Sequence, residues 1–154
     1  MDIKIINDKE RFLYRVSIVI YNKELNKVLL FNVENRDYYL LTGGKVKFGE
    51  TTEEAIKREV KEELGYEINN LSLIAVSEEF ADNKGYHNHQ LNLIYQGVYE
   101  GAIKKDSFHG LDGDWANYKW VDLNEIDKYH IFPNGIKKAI KENNKIYHFI
   151  AKKD

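Results

Sequence analysis

The segment Gly43–Tyr66, with the sequence GGKVKFGETTEEAIKREVKEELGY, joins a pair of glycines to a charged stretch that ends on another glycine. Thr51 and Glu54 have the spacing of a capping box, which predicts that a helix begins there. Apolar residues recur every fourth position from Ile56 onward and predict one buried face. Gly65 is typical of a helix end. The segment therefore predicts an amphipathic helix that follows a glycine-containing loop.

This helix would carry three glutamates, Glu59, Glu62 and Glu63, at relative positions i, i+3 and i+4. At 3.6 residues per turn their carboxylates share one patch, where like charges repel by about 0.2–0.5 kcal/mol per pair. The helix alone favours a solvated face with scattered ion pairs. Gly43 and Gly44 favour the alternative, a cation site, because glycines can bring a backbone carbonyl close to the patch. Such an all-oxygen ligand set suits Mg²⁺ or Mn²⁺ and does not suit zinc.

Composition narrows the classes of protein that this chain can represent. Its 154 residues predict a single domain over residues 1–154. The formal net charge of -2, without a long basic block, predicts neither a nucleic-acid nor a membrane partner. The lack of cysteine excludes disulfides, thiolate nucleophiles and Cys-based zinc sites. Because the sequence has neither a signal-peptide pattern nor an apolar run of roughly 20 residues, we expect a soluble, cytoplasmic protein.

Strand signals flank the predicted helix on both sides. Residues 12–21 alternate in character and are rich in β-branched and aromatic types, which predicts a strand. The order β, β, β, α, β, β, β, α indicates an α/β or α+β fold with a mixed sheet. The further strands are predicted at residues 27–33, 38–41, 71–82, 87–100 and 118–123, with a turn at Asp82–Gly85, a helical turn at 124–128 and a closing helix at 133–143.

Two segments are predicted to lack regular structure, residues 101–115 as a loop and residues 146–154 as a frayed tail. The loop carries Asp106, His109, Asp112 and Asp114, and the ordinary pKa range of histidine suits proton transfer. Either these residues are solvated turn formers, or one of them reaches a site elsewhere in the fold. Glu79, on a predicted strand, is a further candidate proton acceptor.

A row of amides, Asn88, Gln90 and Asn92, alternates along the predicted strand at residues 87–100. Side chains two residues apart in a strand share one face of the sheet. These amides either read a base edge or a sugar, or face water.

The opening segment resembles the Nudix box, which runs Gly, five residues, Glu, seven residues, Arg-Glu, a bulky apolar residue, any residue, Glu-Glu, any residue, Gly and a bulky apolar residue. Tyr66 stands where an aliphatic residue is usual, and Thr42 replaces a proline that often precedes the glycine pair. Neither departure touches a charged group. The matching positions are Gly44, Glu50, Arg58, Glu59, Val60, Glu62, Glu63 and Gly65.

The resemblance to the Nudix (MutT-like) hydrolase family implies an α/β/α sandwich with a mixed β-sheet. It also implies an Mg²⁺-dependent (or Mn²⁺-dependent) pyrophosphohydrolase acting on a small nucleotide, a nucleoside diphosphate linked to another group. The open substrates are a nucleoside triphosphate, a nucleotide sugar, ADP-ribose and a dinucleoside polyphosphate. The implied site residues are Glu59, Glu62, Glu63 and the Gly43 carbonyl as metal ligands, with Arg58 and Glu50 pairing to hold the loop and helix together.

The resemblance leaves three further points open. Lys45 either contacts phosphate or is solvated. The identity of the general base, which in related enzymes often comes from a later loop, is open, and His109 is the candidate. A homodimer is expected from the family alone. The alternative function is a nucleotide-binding sensor of the same fold without hydrolysis, which would need a degraded metal site, whereas the acidic residues here are all present.

Overall fold

The computed structural model describes residues 1–34, 36–142 and 144–153, and only the backbone at residue 153. Helix α1 spans Thr52–Leu64, a 3-10 helix spans Leu123–Lys128 and helix α2 spans Ile136–Lys141. The strands are β1 (Lys4–Asn7), β2 (Glu10–Asn22), β3 (Lys27–Val33), β4 (Thr42–Lys45), β5 (Asn69–Asn83), β6 (Tyr86–Tyr99), β7 (Ser107–Gly110), β8 (Gly113–Asp122) and β9 (Tyr147–Lys153).

All of these strands join one sheet in the order β7-β8-β3-β2-β6-β5-β9, and β1 and β4 also pair with β2. The β2–β6 and β5–β9 pairs are parallel, whereas the other pairs are antiparallel. The predicted mixed sheet of an α+β protein is therefore confirmed. Among the described helices, none is long and apolar enough to cross a membrane.

Helices cover both faces of the sheet, each over its own apolar core. On one face α1 buries Ile56 and Val60 against alternate residues of β2, including Ile18 and Ile20. On the other face the 3-10 helix and α2 pack over the intervening residues of β2, such as Val19. The two-residue period of β2 thus supplies both cores, since successive side chains of a strand point to opposite faces. This layering agrees with the predicted α/β/α sandwich.

The third predicted strand was placed too early. Residues 39 and 40 form only isolated bridges, and β4 begins at Thr42 and includes both glycines of the box. β4 pairs with β2, opposite Ser17 and its neighbours. A Cβ at Gly43 would lie 2.2 Å from the Val16 carbonyl oxygen, so glycine is what allows this close pairing.

Three further predictions were wrong in extent or type. The predicted loop at 101–115 contains β7 and the start of β8, which form a hairpin whose polar residues hide the strand pattern. Most of the predicted frayed tail is β9, a parallel partner of β5, and Asp154 lies outside the described residues. The closing helix is limited to α2 because Gly135, with φ 103°, breaks it at the start, and Asn143 lies outside the described residues.

Candidate active site

The ends of α1 fix where its acidic side chains stand. Thr51 is the N-cap, and its Oγ1 accepts a hydrogen bond from the Glu54 N–H at 3.2 Å. The Glu54 carboxylate accepts from the Thr51 N–H at 2.8 Å, which completes the predicted capping box. Gly65 ends the helix with φ 71°, and its N–H donates to Lys61 O at 3.0 Å. These caps set the helical register of the residues between them.

Arg58 ties the segment before α1 to the helix. Its Nε and Nη2 donate to the two carboxylate oxygens of Glu50 at 2.5 and 3.0 Å, and Nη2 also donates to Lys45 O at 3.1 Å. Its Nη1 donates to Glu59 at 2.9 Å and to Glu62 at 3.4 Å. The Arg58 hydrogen bonds lower the pKa of Glu50 to about 2. The guanidinium thus offsets charge on the acidic patch and fixes the loop, as a bidentate pair can.

The Glu59 carboxylate lies directly over Gly44. A Cβ at Gly44 would come within 2.2 Å of Glu59 Cδ, so any larger residue would push this side chain away. Burial raises the pKa of Glu59, while the hydrogen bond and charge of Arg58 lower it. Gly44 therefore provides the space in which this carboxylate is held.

Glu63 is the most enclosed acid on the helix, with 8% of its surface exposed. Burial, followed by the charge of Glu59, raises the pKa of Glu63 to about 8. The Tyr118 hydroxyl donates to Glu63 Oε2 at 3.2 Å and opposes part of this shift. A buried carboxylate next to another carboxylate favours either a proton or a cation at this position.

A hard divalent cation fits the Glu59 and Glu63 side chains by chemistry, since both offer carboxylate oxygens, one partly buried and one buried, that repel each other. Glu62 stands apart, with 54% of its side chain exposed and an ion pair to Arg58. In the part of the chain that the structure describes, no three His, Cys, Asp or Glu side chains are grouped closely enough to hold one ion. Metal binding by Glu59, Glu62, Glu63 and the Gly43 carbonyl stays a prediction.

A cleft of about 350 Å³ lies on the sheet face opposite α1. Its floor consists of alternate residues of β2, β6 and β5, because these strands pair in a register that puts Arg15 beside Asn92 and Glu79 beside Gln90. Directly paired residues point to the same face of a sheet. The row of Asn88, Gln90 and Asn92 therefore lines a cleft.

Cationic side chains line this cleft on the side of β4. Arg15 and Lys45 are paired across β2 and β4, and neither side chain has a hydrogen bond or ion pair within the described ranges. Burial raises the pKa of both Glu59 and Glu63, and the charge of Arg15 lowers it, so Arg15 lines the cleft and also acts electrostatically on the acids of α1. Arg11 and Arg36 line the same cleft. The cleft is thus electrostatically suited to a phosphate group.

The floor of the cleft is a network of buried polar groups. Glu79 is 3% exposed and accepts hydrogen bonds from Ser77 and, at 3.2 Å, from Gln90. Asn92 accepts from the Ser17 hydroxyl at 3.0 Å. Burial raises the pKa of Glu79, against the hydrogen bond from Ser77 and the charge of Arg15. A satisfied network of this kind offers a fixed set of donors and acceptors to a ligand.

The predicted general base, His109, lies outside the polar cleft. It belongs to β7, its Nδ1 is 3.3 Å from Ala116 O, and it lines a second cavity of about 420 Å³ together with Glu63. Asp112 at the β7–β8 turn acts on Glu63 by charge, whereas Asp106 pairs with Lys27 at 3.7 Å. The role of His109 stays a prediction.

The sequence prediction missed four residues of the candidate site. They are Arg15, Arg11, Arg36 and Tyr118. A signal for the first two was present, since the first half of β2 carries Arg11, Arg15 and Ser17 on the face opposite Phe12, Tyr14 and Val16. A strand that is buried on both faces would have apolar residues there. Arg36 and Tyr118 carry no such signal, because their neighbours come from distant parts of the chain.

Comparisons with known proteins agree with this geometry. The NUDIX domain model matches residues 11–142. An ADP-ribose pyrophosphatase of Methanocaldococcus jannaschii is 33% identical over 67% of this chain and 59% of its own length. A Caenorhabditis elegans relative that carries a nudix hydrolase name is 29% identical over 59% of this chain and 24% of its own length. The matched segment thus spans less than two thirds of either relative.

A solved structure, a MutT protein from Bacillus halodurans, shares the fold with a TM-score of 0.67 and 21% identity, over 90% of this chain and 89% of that one. Proteins of this family act on small nucleotide substrates and generally use divalent metal ions. The family match covers the box, α1 and the cleft-forming strands alike. The chain therefore belongs to the NUDIX domain family.

Proposed function

We propose that this Nudix hydrolase is a pyrophosphohydrolase that depends on Mg²⁺ or Mn²⁺ and cleaves a nucleoside diphosphate linked to another group. The observation that carries the proposal is the position of Arg15, which lines the polar cleft and acts by charge on Glu59 and Glu63. A nucleotide held in the cleft would bring its phosphates near this cation and toward Glu59 and Glu63.

The chain's own residues divide the work. Arg15 and Lys45 bind and orient the phosphates, since neither side chain forms a hydrogen bond or an ion pair with another described residue. The Glu79, Gln90 and Asn92 groups orient the rest of the substrate by hydrogen bonds. Positioning and electrostatic stabilisation of this kind account for most of the catalysis of phosphoryl transfer.

Glu59 and Glu63, joined by Glu62 and the Gly43 carbonyl, would hold the cation. A bound divalent cation would neutralise negative charge on these acids and on the phosphates, and would polarise the phosphoryl oxygens. Arg58 fixes Glu59 through its Nη1 and fixes the preceding loop through Glu50. The loop and the acids therefore keep their places before a substrate arrives.

The substrate is sought among ADP-ribose, nucleotide sugars, nucleoside triphosphates and dinucleoside polyphosphates. The relative from Methanocaldococcus jannaschii makes ADP-ribose the first compound to test. The full chain is incubated with each compound, with and without Mg²⁺, and the products are identified by chromatography and mass spectrometry. Hydrolysis at a diphosphate linkage only with Mg²⁺ is the expected result. Tight nucleotide binding without hydrolysis of any compound would instead indicate a sensor.

A further inference from the structure

Glu63 is held from outside its own helix by a tyrosine 55 residues away. The Tyr118 hydroxyl donates to Glu63 Oε2 at 3.2 Å, and the tyrosine side chain is fully buried. This hydrogen bond joins β8 to the last turn of α1. No feature of the box itself supplies it.

Neighbouring aromatic rings fix the direction of the phenol. Phe31 of β3 and Phe108 of β7 are the residues paired with Tyr118 on its two sides, and their ring centroids lie 5.2 and 5.5 Å from it. Gly110 lets the hairpin close on the same ring, since a Cβ there would lie 3.0 Å from Tyr118 Cε2. The Leu111 N–H also donates to Glu63 O at 2.8 Å. The hairpin thus holds both the backbone and the side chain of Glu63.

A second hydroxyl lies behind the phenol. Thr42 Oγ1 is buried and, within the described residues, has no hydrogen-bond partner. Burial raises the pKa of the Tyr118 phenol, and the Thr42 side chain opposes this shift although its hydroxyl does not complete a hydrogen bond to the phenol. Thr42 directly precedes Gly43, so this hydroxyl connects the beginning of the box to the acid at its end. Because burying an unsatisfied hydroxyl costs folding free energy, stability alone does not explain a threonine at this position.

We propose that Tyr118 is a positioning residue for the metal-binding acid Glu63, and that the Thr42 hydroxyl supports the phenol in this role. The proposal rests on the proposed function, because it assumes that Glu63 binds the cation. The phenol holds one carboxylate oxygen so that the other is directed at the ion. Groups that orient a metal ligand in this way typically change metal affinity or activity 10–100-fold when they are removed.

The test measures Mn²⁺ binding to the metal-free full chain by electron paramagnetic resonance, without substrate. Tyr118→Phe is expected to weaken binding about tenfold. In activity assays, the Mn²⁺ concentration that gives half-maximal activity of Tyr118→Phe is expected to rise by the same factor, whereas kcat at saturating Mn²⁺ stays close to wild type. The matched control is Tyr21→Phe, which removes another buried phenol that donates to Ile140 O at 3.4 Å, far from the acids. The control is expected to bind Mn²⁺ like the wild type.

Thr42→Val separates positioning from folding. Valine keeps the shape and removes an unsatisfied hydroxyl, so the melting temperature is expected to stay or rise while Mn²⁺ affinity falls by about threefold, less than for Tyr118→Phe. If Tyr118→Phe does not fold, Thr42→Val decides alone, and unchanged Mn²⁺ affinity in this variant overturns the proposal.

The possible failures are distinguishable. If Glu63→Gln abolishes Mn²⁺ binding while Tyr118→Phe binds like the wild type, the positioning role is wrong and the proposed function stands. If the wild type neither binds Mn²⁺ nor hydrolyses any compound of the panel, the proposed function fails and the positioning role fails with it.

Discussion

The box segment and the cleft are built over very different distances along the chain. Arg58 and Glu50, which hold the box together, are eight residues apart, whereas Ser17 and Asn92 in the cleft floor are 75 residues apart. The box is a local structure that caps and helical spacing determine. The cleft exists only after β2, β5 and β6 have paired in register.

This difference separates two kinds of function. The local segment carries the acids, whose helical spacing brings their carboxylates to one side of α1. The long-range face of the sheet carries the groups that meet the substrate, and a shift of one residue in register would turn all of them to the other face. We therefore expect variants in the box to change kcat and variants in the cleft to change KM and substrate choice.

The largest effect is expected for Glu63→Gln. Loss of several kcal/mol of transition-state stabilisation corresponds to a fall in kcat on the order of 10³-fold. The fold is expected to persist, because the change removes a buried charge that Glu59 repels. Activity at saturating Mg²⁺ and circular dichroism check both points. Glu67→Gln, which removes an exposed acid paired with Lys61, is the control and should retain full activity. Normal turnover by Glu63→Gln would place catalysis elsewhere.

Gly44→Ala tests the local geometry of the box without changing a charge. The added Cβ would meet the Glu59 carboxylate, which is the far end of a flexible side chain, so the carboxylate moves and the fold remains. A misplacement of about 1 Å in a catalytic group costs on the order of 10²-fold in rate. Steady-state kinetics should show this fall in kcat at an unchanged melting temperature. A wild-type kcat in this variant would show that catalysis does not depend on the position of the Glu59 carboxylate.

Arg15→Ala tests the cleft. Hydrogen bonds to charged groups are worth about 1.5–3 kcal/mol, so KM for the best substrate should rise about 10–100-fold with a smaller change in kcat. Lys57→Ala, which removes a positive charge from an exposed position of α1, is the matched control. If Arg15→Ala instead lowers kcat as strongly as Glu63→Gln at constant KM, the distinction between the two regions fails.

The smallest effect concerns stability and its dependence on pH. Glu50→Gln should lower the free energy of unfolding at pH 7 by about 2 kcal/mol, since it breaks a partly buried bidentate pair. The pKa of Glu50 is lowered to about 2, so its contribution is complete above pH 4.5 and is lost as the pH falls toward 2. Urea unfolding between pH 2 and 7 should therefore show the variant and the wild type converging at low pH. A difference that is constant over this range would contradict the role of the carboxylate charge.

The sequence predicted the local structures well, for physical reasons. The capping box at Thr51, the left-handed Gly65 and the apolar stripe of α1 depend only on residues within a few turns of one another. The strand β3 was predicted with its full extent because four consecutive apolar residues, 28–31, lie at its centre.

The wrong predictions concern structures that form only through pairing between distant parts of the chain. β9 consists of a mixed, partly basic sequence, and it is a strand because β5 offers it a free edge. β7 is stabilised by the stacking of Phe108 on Tyr118, which no short window of sequence contains. The cleft has the same origin, since Glu79 and Gln90 become neighbours only through the pairing of β5 with β6.

The two tryptophans of β8 lie on either side of Tyr118 in environments that differ. Trp120 is 4% exposed, whereas Trp115 is 43% exposed and meets the edge of Phe31 at 5.7 Å between ring centroids. The protein therefore carries two intrinsic fluorophores of unequal access to an aqueous quencher such as acrylamide. Replacement of either tryptophan by phenylalanine would leave a single tryptophan, whose fluorescence would report movements of the β7–β8 hairpin without a label.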